Sequence, residues 1–544
     1  MQEDKSSPRD RRPSTGQGRQ PASVSGRIAR STGVLALATG VSRVLGFVRD
    51  ILLANLFGTS AQAQAFVVAF RLPNLLRDLV AEGAVTSAFV PVLSWYQAKG
   101  ESKEFWRLSQ ALLTQVFLLL CVLGLAGTIA APAIVRVIAP GFMSDPEKFA
   151  LTVRLTRILF PFITLVGLWA YFMGLLNTLR HFSMPALGPA ILNAAMIVAC
   201  VVFVPRTTPG VVAVAVGVVI GGVIQLAIQL PVAWRLGFRW HWRWTHPGSA
   251  KTLKLLGPRM LGSAVYQADV LIDTILASMA SIVGEGAVAA IYFANRLVQL
   301  PLALFGTASA QASLPLLAEQ AAHDDFAGFR ATLLSVMRMV GFVILPASVG
   351  LMVLAFPIVG GLFERGAFHH EATIMTAQAL ICYAIGLLAY SISKVITGAF
   401  YALHDTWTSV KLAAEAVVIG AVLSVLLMFP LRVAGLALAA AMSNTWNAYR
   451  LTRCLERRLG VSLLQPVAEP LLRMTAASLL MGAGCWVVWI AAAAGMRPWL
   501  GLPTVIVAGM VFYVVACRVL RVQELSTVLQ WLGKLPVFQV FAGE

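Results

Sequence analysis

The stretch AFRLPNLLRDLVAEGAVTSAFVPV, Ala69 to Val92, reads as a membrane-spanning helix, yet it carries Arg71, Arg77, Asp78 and Glu82. A second stretch, SRVLGFVRD from Ser42 to Asp50, puts Arg43, Arg49 and Asp50 inside the first long apolar segment, about Ser31 to Phe57. An ionisable side chain at the centre of a bilayer costs about 2.5–3.5 kcal/mol even on a lenient insertion scale. Charge this dense is expected to face a protein-lined, water-filled cavity, and it marks the candidate site.

The rest of the chain sets the class. Of 544 residues, 58% are hydrophobic and 12% charged, and the mean hydropathy is +0.79. Soluble domains would need far more polar surface, so the expected fold is an all-α polytopic membrane protein. Apolar runs long enough to span a bilayer, bounded by Pro, Gly and charge, number about fourteen. Residues 1–32 are polar, basic and rich in Ser, Pro and Gly, and are expected to form a disordered tail; residues 522–544 form a second tail. The first apolar segment is too long for a signal peptide and is expected to stay as the first span. The six cysteines are scattered singly in or beside apolar segments, without the spacing of a disulfide framework or a zinc site.

With the N-terminus on the cytoplasmic side, most of the 42 Lys and Arg fall in cytoplasmic loops and tails, which places both termini there. The loop from Trp234 to Arg259 holds six basic and no acidic residues and is expected to lie against anionic headgroups. The net charge of +18 is therefore topology and not nucleic-acid recognition.

Nine basic residues remain within the spans: Arg43, Arg49, Arg71, Arg77, Arg154, Arg157, Arg296, Arg338 and Lys394. Arg154, Arg157 and Arg338 lie near span ends, where snorkelling accounts for them. In helical geometry Arg43 and Asp50 share a face, and Arg71, Asp78 and Glu82 form a second stripe, with Asn74 on the same helix. Mixed charge on one stripe permits an internal salt-bridge network; the excess of Arg over carboxylate favours an anionic ligand.

Adding about 224 to a position in the first half finds its likeness in the second. Arg71-Leu72 followed by Pro91 corresponds to Arg296-Leu297 followed by Pro315, and GLLNTLRHFS (Gly174 to Ser183) to GAFYALHDTW (Gly398 to Trp407). Six spans separate the copies, so the repeats are parallel. Two six-helix lobes, 33–236 and 251–455, are expected to face each other across a cavity, with a final helix pair at 467–521 outside the repeat. Pro73, Gly83, Pro91, Pro301 and Gly306 interrupt the charged spans and give bends that rocking of one lobe against the other would use.

Enzymatic chemistry is not indicated. All seven histidines fall in predicted loops or at span ends, and the chain lacks a GxxxxGK[ST] loop for ATP. His369-His370-Glu371 lacks the spacing of a metalloprotease helix.

At the segments SRVLGFVRD, AFRLPNLLRDLVAEGAVTSAFVPV, ANRLVQLPLALFG (Ala294 to Gly306), LFERGAF (Leu362 to Phe368) and FYALHDT (Phe400 to Thr406), the chain resembles the bacterial lipid II flippase family MurJ, also called MviN. That family sits in the superfamily of multidrug and polysaccharide exporters. The resemblance implies movement of undecaprenyl-pyrophosphate carrying a disaccharide-pentapeptide across the cytoplasmic (inner) membrane for peptidoglycan synthesis and cell shape. It implies Arg43, Arg49, Arg77 and Arg296 as pyrophosphate ligands, with Asp50, Arg71, Asn74, Asp78 and Glu82 supporting or gating them, and a lipid-tail groove at the final helix pair. Where the family often has Asp before Ala65-Phe66, this chain has Gln64, so an outer gate would use a neutral hydrogen bond. Some members also carry a sodium site; Asp269, Asp273 and Glu415 are the local carboxylates for a coupling Na+. Other cell-wall synthesis proteins are candidate partners. A multidrug or O-antigen-type exporter, and a non-transporting cell-wall scaffold, stand as alternatives.

Overall fold

The computed structural model describes residues 21–77, 89–493 and 498–533, and among them every regular element is helical. In chain order these are α1 (Pro21–Phe57), α2 (Ala61–Arg77), α3 (Val90–Ala98), α4 (Ser102–Ile138), α5 (Pro146–Leu159), α6 (Pro161–Thr178) and α7 (Ser183–Val198). Then come α8 (Val211–Ala227), α9 (Leu230–Arg235), α10 (Pro247–Ala277), α11 (Ala280–Val283), α12 (Ala287–Pro301), α13 (Ala308–Ala322) and α14 (Phe326–Val353). The remainder are α15 (Ala355–Phe363), α16 (His370–Ile385), α17 (Leu387–Ala402), α18 (Thr406–Leu459), α19 (Leu464–Ala493), α20 (Pro498–Val519) and α21 (Gln523–Gly533).

Nine described helical segments are long and apolar enough to cross a membrane, ten when α16 and α17, bent by 46°, count as one. The expected count of fourteen is not confirmed among the described residues, although it counted the two halves of α18 separately. Division is physically required. Its 54 residues would extend about 80 Å at the helical rise, and Arg432, just after Pro430, has φ 52° and breaks the helix.

The expectation for the first tail needs correction. Residues 21–32 continue into α1, with Pro21 at the first helical position, where its missing N–H costs nothing. Residues 523–533 form α21, which buries Leu525 beside Val522 against the final helix pair.

The repeat is visible in the packing. Helix α1 packs on α7 as α10 packs on α18; α2 packs on α5 as α12 packs on α16; α4 packs on α6 as α14 packs on α17. One apolar core runs through both halves, from Leu112 and Phe172 to Leu380 and Phe400. Large apolar side chains such as Leu119, Leu125 and Ile129 are exposed instead, as a lipid-facing surface requires. The final pair, α19 and α20, packs on α14, where the Tyr513 hydroxyl donates to the Phe342 carbonyl at 2.7 Å. After Pro301 the helix widens into a π-helical turn over Leu302–Thr307, and Gly306 lies so close to Ser391 that a Cβ would stand 2.8 Å from its Oγ. The expected bend in this span is therefore built in.

Candidate functional site

Charge gathers where α1 meets α12. Arg49 and Asp50 are 8% and 3% exposed near the end of α1, one turn before Leu53 and Ala54 enter the core. The Arg49 Nε and Nη2 donate to Asp50 Oδ1 at 3.1 and 2.8 Å, and its Nη1 donates to Asn193 Oδ1 of α7 at 2.8 Å. Across the lobe boundary, the Tyr292 hydroxyl of α12 donates to Asp50 Oδ1 at 2.9 Å, and Arg296 Nε lies 3.4 Å from Asp50 Oδ2. Arg296 also donates to the Tyr292 hydroxyl at 3.2 Å and stacks on that ring at 4.8 Å.

A buried charge left unpaired is far more costly than a paired one, so each member of this network depends on the others. The three charged groups do not present themselves equally. Arg49 spends its fork on Asp50 and Asn193, whereas the Arg296 side chain keeps 32% exposure against 4% for Asp50. Arg296 is thus the guanidinium of this trio open to an incoming anion. Two cations around one carboxylate leave one positive charge in excess.

About three turns into α2, Arg71 Nε donates to Thr274 Oγ1 of α10 at 3.1 Å, a second bond between the lobes. Asp273 and Tyr383 share its electrostatic surroundings. Arg43 is exposed on α1; it lies seven residues from Asp50, about 10 Å along the helix and beyond direct pairing. Asn74 and Arg77 are half-buried along α2, and Asp78 and Glu82 lie outside the described residues.

The three carboxylates expected for sodium are not gathered. Glu415 is held by Trp446 Nε1 at 3.0 Å and Arg450 at 3.1 Å. Asp269 instead lies near Gly420, and among the described residues no three His, Cys, Asp or Glu side chains could share a metal ion. The set does not fit a cation as expected, because one of its members already has a cationic partner.

Beyond the arginine cluster, toward the end of the bundle carrying the loops after α1, α4 and α10, a second polar contact closes the lobes. Lys148 of α5, 3% exposed, donates from Nζ to Gln64 Oε1 at 3.1 Å and to Glu285 Oε1 at 2.7 Å. Gln64 Nε2 also donates to Glu285 Oε1 at 3.0 Å. Gln64, expected to serve an outer gate through a neutral hydrogen bond, is instead bonded to a charged pair at the centre of a bridge between α2, α5 and the loop before α12. Partial burial pushes the Glu285 carboxyl up, but the bonds from Lys148 and Gln64 outweigh it and hold it below the usual carboxylate range. Nearby, the LFERGAF turn docks on α1: the Ala367 amide donates to the Asn55 carbonyl at 2.8 Å. Gly366 at φ 59° and Gly58 at φ 53° permit an approach that leaves no room for a Cβ.

Sequence reading missed Asn193, Tyr292, Lys148 and Glu285. A neutral polar residue within an apolar helix, such as Asn193, was the available signal; Lys148 gave none, being one lysine near a helix start.

The sequence profile of the family described as lipid II flippase MurJ matches residues 53–500. The chain belongs to that family. MurJ relatives include the probable lipid II flippase MurJ of Buchnera aphidicola subsp. Acyrthosiphon pisum, 32% identical over 431 residues, 79% of this chain and 84% of the relative. The lipid II flippase MurJ of Burkholderia cenocepacia is 34% identical over 426 residues, 77% of this chain and 82% of the relative. A solved structure of lipid II flippase MurJ in an inward closed conformation superposes with TM-score 0.75 at 25% identity, covering 89% of this chain and 98% of that one. An inward-facing multidrug transporter of the MATE family has TM-score 0.65 at 15% identity, over 78% of this chain and 98% of that one, and shares the fold alone. The protein is a multi-pass membrane protein of a flippase family, as its MurJ-like segments imply.

Proposed function

We propose that this chain turns lipid II from the inner to the outer leaflet of the cytoplasmic membrane by alternating access, and that the Arg49–Asp50–Arg296 cluster reads the pyrophosphate. The single observation that carries the site assignment is the shared carboxylate: Asp50 is held on one side by Arg49 and on the other by the more exposed Arg296 of the opposite lobe. A pyrophosphate arriving in the cavity competes with Asp50 for the Arg296 fork, which matches phosphate oxygens bidentately. Withdrawing Arg296 from Asp50 loosens the bond between lobes and couples recognition of the anion to their movement. Arg43 on α1 and Arg71 and Arg77 on α2 add positive potential toward the cavity mouth. No covalent bond of the substrate changes, so the activity is transport and not catalysis.

In this reading the lobes are 33–236 and 251–455, both termini are cytoplasmic, and the helix pair at 467–521 guides the prenyl tail. The contact of Gln64, Lys148 and Glu285 then closes the periplasmic end while the substrate loads. No step is routed through sodium, since the carboxylates suggested for it do not converge. The companions are the lipid substrate and the surrounding membrane lipids, with other cell-wall synthesis proteins as assembly partners.

Complementation tests the function: cells depleted of their own lipid II flippase are expected to grow with this chain and to lyse without it. Lysis despite normal membrane abundance of the chain would reject the proposal. Arg296→Lys, which keeps a cation beside Asp50, separates the two readings: at unchanged membrane abundance a scaffold still supports growth, whereas a flippase loses transport.

A further inference from the structure

The outward face of α5 carries two arginines that the proposed transport route does not use. Glu147, Ala150, Arg154, Arg157 and Pro161 recur at three- and four-residue spacing and are all exposed, forming one stripe, while Lys148 turns inward to Glu285. Residues 158–178 contain no charged side chain and extend about 30 Å, the thickness of the hydrocarbon core, so Arg157 sits at its edge and Arg154 one turn farther out. Both therefore stand at headgroup level on the side of the membrane where Gln64 closes the lobes. Among the described residues neither guanidinium has a hydrogen-bond or ion-pair partner. Both line a groove of about 440 Å³ whose other walls are apolar, with Pro132 of α4 opposite Phe149, Val153 and Ile158 of α5.

We propose that this groove is a binding site for an anionic glycerophospholipid of that leaflet, distinct from the transported substrate. The two guanidiniums hold the phosphodiester oxygens, and an acyl chain fills the groove between α4 and α5. Charge complementarity selects the occupant. One phosphodiester with no compensating amine satisfies two cations three residues apart, whereas the ammonium of a zwitterionic headgroup would be pressed against the second guanidinium. The apolar walls select a lipid over a free anion, because an acyl chain removes from water a surface that inorganic phosphate leaves wet. Side chains on α5 tilt toward its N-terminus, which carries both guanidiniums outward to the phosphate layer.

The test uses the purified full chain in detergent, titrated with phosphatidylglycerol or phosphatidylcholine at equal mole fraction, with bound lipid counted by native mass spectrometry. The wild type is expected to retain phosphatidylglycerol in preference to phosphatidylcholine, and the variant carrying Arg154→Gln and Arg157→Gln to lose that retention by about tenfold or more. If the double variant does not purify folded, the single Arg157→Gln variant is read instead, with an expected loss of about threefold. Equal retention of the two lipids, undiminished phosphatidylglycerol in a folded variant, or its displacement by excess inorganic phosphate would each overturn the proposal.

Discussion

Arg296 reaches the Asp50 carboxylate at 3.4 Å from the opposite half of the molecule, although the two residues stand 246 positions apart in the chain. Two residues that each look misplaced in a membrane segment thereby account for one another. The pair also joins the lobes at a point that an anion could open.

The first prediction concerns that carboxylate. Replacing Asp50 by Ala leaves Arg49 buried without a counter-ion and is expected to destabilise the folded protein by about 3–5 kcal/mol. Asp50→Asn, which keeps hydrogen-bonding oxygen and shape, is expected to cost less. Thermal unfolding of both purified variants checks the order, and equal midpoints would contradict it.

Arginine and lysine should not be interchangeable at Arg49, where Nε and Nη2 share one carboxylate oxygen while Nη1 holds Asn193. Arg49→Lys is expected to abolish complementation. Arg450→Lys, in a half-exposed pair with Glu415, should change stability by no more than about 0.5 kcal/mol and leave growth unaffected. Similar growth defects from the two would count against the fork.

The closing bridge carries a pH signature. Glu285 is held below its ordinary value of 4.5 by Lys148 and Gln64, so its ionised form favours the closed arrangement. That contribution is fully present above the ordinary value and is lost as pH falls through the lowered one. Spin labels at Ser60 and Ser281 are therefore expected to keep their separation from pH 8 to pH 6 and to move apart only as the pH falls below the ordinary value of 4.5. Lys148→Met should separate them at every pH. A distance in that variant that matches wild type would remove Lys148 from the closure.

The helix pair α19 and α20 packs on α14 through Phe342, Met474, Met481 and Tyr513, outside the repeated packing of the two lobes. Ending the chain after Gln465 exposes an apolar face to lipid, which costs little in a bilayer. The truncated protein is expected to insert and to bind a soluble pyrophosphate headgroup analogue, yet to fail to move the full lipid. Normal movement of the full lipid by the truncated protein would refute a separate role for the pair.

Much of this was legible before any coordinates, because bilayer physics makes apolar length and misplaced charge strong signals. Arg49, Asp50 and Arg296 stood out for that reason. Lys148 and Glu285 could not be read in this way. Each is ordinary in its own segment, and only the packing of α5 against α2 and the loop before α12 brings them to Gln64.

The account's central claim is that Arg296 is exchanged from Asp50 to the pyrophosphate during transport. The most direct measurement reconstitutes the full chain and Arg296→Ala at matched amounts in liposomes containing lipid II, and follows the rate at which the lipid becomes accessible to a membrane-impermeant headgroup reagent. The wild type is expected to move the lipid and the variant to do so at least about tenfold more slowly, the loss corresponding to one charge-assisted hydrogen-bonded contact. Movement at the wild-type rate by correctly inserted Arg296→Ala would contradict the claim.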